Sequence, residues 1–251
     1  MLAIRIIPCL DVKDARVVKG VCFSNLRDSG SPAELAAEYQ SQGADEIVLL
    51  DISATLERRC TQIQTIKDVR EVLCIPLTVG GGVTSVGDAE ALLVAGADRV
   101  AINTAAVSQP QLLRDISETF GRQCTVVALD AAANSPTTWE VVTNSGRKRT
   151  GIDALEFARL AEAKGAGEIL LTSWDRDGTR LGYDIALLEC IAAAVSIPVI
   201  ASGGAATLEH FLEAIRAGAD AILAASVFHE GVLSVKAIKN YLRDNCVEVR
   251  L

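Results

Sequence analysis

Short apolar runs alternate along the chain with longer stretches whose apolar residues recur at helical spacing. The runs are rich in Val, Ile and Leu and bounded by Gly or Asp, the pattern of strands buried on both faces. Eight are counted, at roughly 4–11, 46–51, 76–80, 98–102, 125–130, 168–173, 198–202 and 220–224. Among the intervening stretches, AELAAEYQSQG, VGDAEALLVAG, ALEFARLAEAKG and LEHFLEAIRAG predict helices. Each closes on a glycine (Gly43, Gly96, Gly165 or Gly218) able to take the left-handed conformation that ends a helix.

The pattern repeats at one offset. GADEIVLL from Gly43 returns as GAGEILLT from Gly165, IPLTVGGG from Ile75 as IPVIASGG from Ile197, and AGADRVAI from Ala95 as AGADAILA from Ala217, each 122 residues on. The chain is therefore read as a duplicated half, with halves of about 1–122 and 123–251. Eight strand–helix units in two equal halves, with no linker between them, predict one α/β domain over 1–251: a (β/α)8 TIM barrel with a twofold half-barrel repeat.

Composition narrows the chemistry. No apolar run approaches the roughly 18–20 residues of a membrane helix, and the N-terminus lacks a signal-peptide layout, so a soluble protein outside the membrane is expected. The seven cysteines are odd in number and never at CxxC spacing, which points to a reducing cytoplasm and away from disulfides or zinc. With two histidines, no metal is expected. A net charge of −8 disfavours nucleic acid, although backbone N–H groups of an acidic protein can still hold an anion.

Active sites of such barrels lie beyond the C-terminal ends of the strands. The first strand of each half ends in a carboxylate, Asp11 and Asp130. Alternation places Arg5, Ile7, Cys9 and Asp11 on one face of the first strand, and Val126, Ala128 and Asp130 on one face of the fifth. Either aspartate alone could merely cap a loop; in equivalent places they form a candidate acid/base pair. Strand three runs into Gly80, Gly81 and Gly82, strand seven into Gly203 and Gly204. Strand four runs into Asn103 and Thr104, strand eight into Ala225 and Ser226. One glycine pair is only a tight turn; two sets across one mouth suggest a substrate with two phosphates. TSWDRDGT after strand six, with Asp175, Asp177, Gly178 and Thr179, has no copy in the first half; it is either reaction-specific or an Asp-Gly turn.

At the other end, Arg5, Glu46, Arg99 and Glu168 open strands one, two, four and six with inward parity. Four charges converging there must pair, as a structural plug or as the gate of a passage through the barrel.

RIIPCLDVKDARVVKG, NLRDSGSP, TVGGGV, AINTAAV, ALDA, GAGEILLTS, DRDGT and IASGGA together resemble the cyclase-subunit family of imidazole glycerol phosphate synthase, from Met1 to Leu251. The resemblance implies condensation of ammonia with a bis-phosphorylated ribulosyl aminoimidazole-carboxamide, giving imidazole glycerol phosphate and an aminoimidazole carboxamide ribotide, without a cofactor. It implies Asp11 and Asp130 as catalytic, Lys19 and Asp177 as supporting, and Gly178 among the phosphate-binding residues. The long first loop, with Lys19, Gly20, Asn25 and Gly30, would be a lid. No nucleophile elbow of a glutaminase appears, so a separate glutaminase subunit, forming a heterodimer, would feed ammonia past an Arg5–Glu46–Arg99–Glu168 gate. Asp98 and Gln123 would lie on that interface.

The sequence departs from the family at Arg99, where lysine is common, and at Ala132, where a basic residue often stands. Trp174 is bulky beside the site, and AAANSPTTW reads as a loop. Other readings are the sister isomerase of the pathway, against which CLDVKD and NLRDSG speak, and a non-catalytic phosphate-binding barrel.

Overall fold

Parallel strands with apolar residues on both faces need cover inside and out, and a closed ring wrapped by helices supplies both. The computed structural model describes residues 3–21, 24–57, 59 and 61–251, without the side chains of 19–21, 24–27 and 56. In the first half the elements are β1 (Arg5–Lys13), β2 (Arg16–Val21), β3 (Ser24–Gly30), α1 (Pro32–Ser41), β4 (Ile47–Asp51) and α2 (Ala54–Glu57). There follow α3 (Ile63–Val72), β5 (Leu77–Gly80), α4 (Val86–Val94), β6 (Arg99–Ile102), α5 (Thr104–Ser108) and α6 (Gln111–Phe120). The second half continues with β7 (Thr125–Ser135), β8 (Thr138–Thr143), β9 (Lys148–Asp153), α7 (Ala154–Ala163), β10 (Glu168–Ser173) and α8 (Ile185–Ala192). It ends with β11 (Val199–Ser202), α9 (Leu208–Arg216), β12 (Ala221–Ala224), α10 (Ser226–His229) and α11 (Val235–Asp244).

Eight strands close into a parallel barrel in the order β1, β4, β5, β6, β7, β10, β11, β12, and Arg5 opposite Ala221 joins the last to the first. The eight runs counted in the sequence are these eight. Alternation sorts their side chains. Ile7, Cys9, Val48, Val126, Leu170 and Ile200 fill the lumen. Their neighbours Ile6, Leu10, Ile47, Leu49, Val127 and Leu129 face the helices in the larger core between the layers. Each such fully buried Leu or Ile contributes about 1.5–3 kcal/mol.

The helices end as their glycines predict: Gly43, Gly96, Gly165 and Gly218 have φ of 90°, 118°, 99° and 103°. Strand starts are secured by carboxylates that accept a neighbouring strand's backbone N–H. Asp45 takes that of Ile6 at 2.8 Å, Asp98 that of Leu77 at 2.8 Å and Asp220 that of Val199 at 2.9 Å.

Two sequence expectations need correction. The long first loop is instead strand: β2 folds back on the end of β1, Val12 opposite Val17, and pairs with β3. Nor is AAANSPTTW a loop, because β7 runs past Asp130 to Ser135 and turns into β8, with Asp130 opposite Val142. A strand continues wherever a partner can satisfy its backbone, whatever its turn-forming composition. β2 and β8 are counterparts, β8 beginning and ending 122 residues after β2.

Candidate active site

Because β1 and β7 extend beyond the barrel rim, residues short of their ends meet the mouth, Asp11 in β1 and Asp130 in β7. There a cavity of about 710 Å³ opens at the C-terminal ends of the strands. Asp11 and Asp130 both line it, as do Asp177 and Thr172. Asp11 is buried, and its Oδ1 accepts a hydrogen bond from the Cys9 thiol at 3.5 Å. Asp130 lies beside Thr172 of β10 in register and accepts at Oδ2 from the Asn103 amide at 3.3 Å. Burial pushes the Asp130 carboxyl up to about 7; the Asp177 carboxylate adds to the rise, a hydrogen bond from Thr172 opposes it, and Asp11 adds a smaller push.

The two flanks are built alike. Gly81, Gly82, Asn103 and Thr104 line one side of the cavity, and Gly178, Gly203, Gly204, Ala225 and Ser226 the other. Gly82 and Gly204, at φ 67° and 99°, are demanded by packing: a Cβ would strike the carbonyl oxygen of Arg59 in one case and of Gly182 in the other. Asn103 and Ala225, 122 residues apart, share an uncommon backbone, with φ/ψ of −113°/−86° and −125°/−71°. They lead into the short helices α5 and α10, whose first N–H groups have no partner inside the helix. Such concave backbone suits an anion on each flank.

Asn103 does more than border a flank. Its amide donates to Ala128 O at 2.9 Å as well as to Asp130, and its Oδ1 accepts from Thr104 Oγ1 at 3.1 Å. Thr104 Oγ1 in turn accepts the backbone N–H of Asn144, at the tip of the β8–β9 hairpin. Ser145 beside it donates to Ile52 O at 3.1 Å, so a hairpin of the second half walls the flank of the first.

At the barrel floor the four charges meet. Arg5 pairs with Glu46 at 3.0 Å and with Glu168; Arg99 pairs with Glu46 at 2.5 Å and with Glu168 at 3.7 Å. Thr78 Oγ1 donates to Glu46 at 2.6 Å. Burial pulls the Arg5 guanidinium down, but Glu168 and Glu46 together hold it above its ordinary value. Asp98 and Gln123 are both exposed at this end. Asp98 also pairs with Arg70 at 3.1 Å, and Gln123 donates to Phe120 O at 3.2 Å.

Other expected residues lie elsewhere. The side chains of Lys19 and Asn25 fall outside the described residues, as do Cys22 and Cys60. Ala132 is buried opposite Glu140 of β8, and the Trp174 ring sits over Gly146 rather than in the cavity wall. Asp175 accepts the Ala133 N–H at 2.7 Å, a loop-fixing role. Arg59, Asn144, Ser145 and Arg180 line the cavity without having been singled out. Thr172 could have been, since it shares inward parity with Glu168 and Leu170.

The family model "Histidine biosynthesis protein" matches residues 5–234. Among curated relatives, the imidazole glycerol phosphate synthase subunit HisF of Nocardia farcinica is 53% identical over 255 residues, covering 99% of this chain and 99% of the relative. The subunit of the same name from Mycobacterium tuberculosis (strain ATCC 25177 / H37Ra) is 52% identical over 255 residues, covering 99% and 96%.

Proposed function

Since the chain belongs to the histidine biosynthesis protein family, with HisF subunits of imidazole glycerol phosphate synthase as near full-length relatives, we infer that it is the cyclase of such a synthase. Ammonia condenses with the ketose carbonyl of a bis-phosphorylated ribulosyl aminoimidazole-carboxamide and water leaves. The new nitrogen then attacks the formimino carbon, and the C–N bond to the aminoimidazole carboxamide ribotide breaks as imidazole glycerol phosphate forms. No electrons are gained or lost overall, so the steps balance with acid–base chemistry alone.

The observation that carries this reading is the common cavity of Asp11 and Asp130 between two like-built anion flanks. Two held phosphates stretch the substrate across the mouth and bring its reacting centre between the carboxylates. Asp130, pushed up to about 7, takes and returns protons at neutral pH. Asp11 serves the complementary transfer from the opposite side. Asp177 keeps the Asp130 proton in place through its charge, and Lys19, in β2, is the supporting cation.

The floor supplies the ammonia. A glutaminase subunit docks at the strand starts, at the level of Asp98 and Gln123, and the Arg5–Glu46–Arg99–Glu168 ring is the gate. Its longest pair, Arg99–Glu168 at 3.7 Å, is the one that parts most easily. Among the described residues no helix is long and apolar enough to cross a membrane. Together with the cysteine usage, this supports placement in the cytoplasm.

The test supplies the bis-phosphorylated intermediate and ammonium salt at high pH, without a glutaminase. Turnover is expected, and Asp11→Asn and Asp130→Asn each abolish it. Activity confined to the open-chain precursor would instead identify a sugar isomerase.

A further inference from the structure

Among the described residues the cavity is lined by two cationic side chains, Arg59 and Arg180, one beside each anion flank. They stand 121 residues apart, one short of the repeat. Their surroundings differ. Arg59 donates to Asp51 at 2.6 Å, to Ser53 Oγ at 2.7 Å and to Glu57 at 2.6 Å. Two carboxylates absorb its charge and its own carbonyl lies close against Gly82, so it is packed into the first flank. Arg180 is paired with the carboxylate of Glu230, just beyond α10, and both side chains are about half exposed, at 54% and 40%.

The backbone keeps Arg180 at the second flank. It adopts φ 64°, a conformation that side chains other than Asn and Asp seldom take. Two residues later the Gly182 N–H donates to Gly204 O at 2.8 Å, tying this loop to the glycine pair of the flank. Strain of this kind persists where the surroundings over-determine it, and it gathers at ligand clamps.

We propose that Arg180 grips the phosphate on the second flank, and that Glu230 is its resting partner, displaced as the phosphate enters. The proposal rests on the two-phosphate reading of the cavity. A half-exposed ion pair is weakly held in water. A phosphate dianion offers more charge and a bidentate match to the guanidinium fork, and the freed Glu230 carboxylate is rehydrated at the rim. The exchange also relieves a repulsion: a chain of net charge −8 receives a doubly phosphorylated substrate, and the arriving phosphate replaces a fixed carboxylate instead of adding to it.

Inorganic phosphate titrated into the full-length chain tests this, with the backbone amide resonances of Gly203 and Ser226 followed separately from those of Gly82 and Thr104. Arg180→Gln is expected to weaken the second flank roughly tenfold and leave the first unchanged. Glu230→Gln is expected to tighten the second flank about twofold to threefold, since the competing carboxylate is gone. With ammonium as nitrogen source, Arg180→Gln raises KM and spares kcat, and Arg180→Lys recovers part of the loss. A structural strut would make both variants weaken phosphate alike; that result, or equal affinity in all three proteins, overturns the proposal. Phosphate binding is read without turnover, so a protein that binds phosphate on both flanks yet fails to cyclise would overturn the reaction and leave this assignment standing.

Discussion

Replacing Asp130 with asparagine should abolish turnover and yet stabilise the protein, increasingly so as the pH rises. Asparagine keeps the size of the side chain and an acceptor oxygen for Asn103 and Thr172, but has no titrating proton. In the wild type this carboxyl is raised from 3.8 to about 7. About three units at 1.36 kcal/mol each make about 4 kcal/mol. The folded state therefore holds the proton more tightly than the unfolded chain. That contribution is complete below the unfolded value and is lost as pH rises through the folded one. By linkage about 1.5 kcal/mol has gone at pH 5 and about 4 at pH 8, an upper value because water at the cavity mouth offsets part of the cost. The variant lacks this decline, so its advantage over the wild type should widen by up to about 2.5 kcal/mol between the two pH values. Urea unfolding at pH 5, 6, 7 and 8, alongside ammonia-dependent turnover, measures it. Stability curves that run parallel across that range would refute the burial argument, whatever the loss of activity.

Two further outcomes follow from the geometry. Gly82→Ala places a Cβ against the Arg59 carbonyl at a positive φ; we expect a loss of roughly 1–3 kcal/mol in unfolding free energy and a raised KM with kcat largely kept, because the flank it lines is the one proposed to hold phosphate rather than the reacting atoms. Glu46→Ala leaves Glu168 to serve both Arg5 and Arg99 at the floor and should cost about 3 kcal/mol or less by urea unfolding, whereas Glu46→Gln, which keeps one acceptor oxygen beside both guanidinium groups, should cost clearly less.

Much of the barrel could be read from periodicity because each signal is local. A strand buried on both faces shows itself as an unbroken apolar run, and the duplication shows itself as one offset. Both aspartates, the glycine turns and the four floor charges followed from parity and strand ends, which need no knowledge of partners. The β2–β3 and β8–β9 hairpins escaped because Asn, Ser, Pro and Thr suggest turns, and only the exposed edges of β1 and β7 make an extended path favourable there. Asn103 was placed by its position after β6 as a phosphate ligand; that its amide also reaches Asp130 depends on a neighbour 27 positions away.

The amino-acid order thus determined which residues form the eight barrel strands, which face inward, and that a half had been copied, since spacing along the chain is enough to set each of these. The three-dimensional fold alone decided which charges pair at the floor, which hairpin walls which flank, and that burial raises the Asp130 carboxyl. Those outcomes depend on dielectric and distance between segments far apart in the chain. Closing the barrel creates both at once.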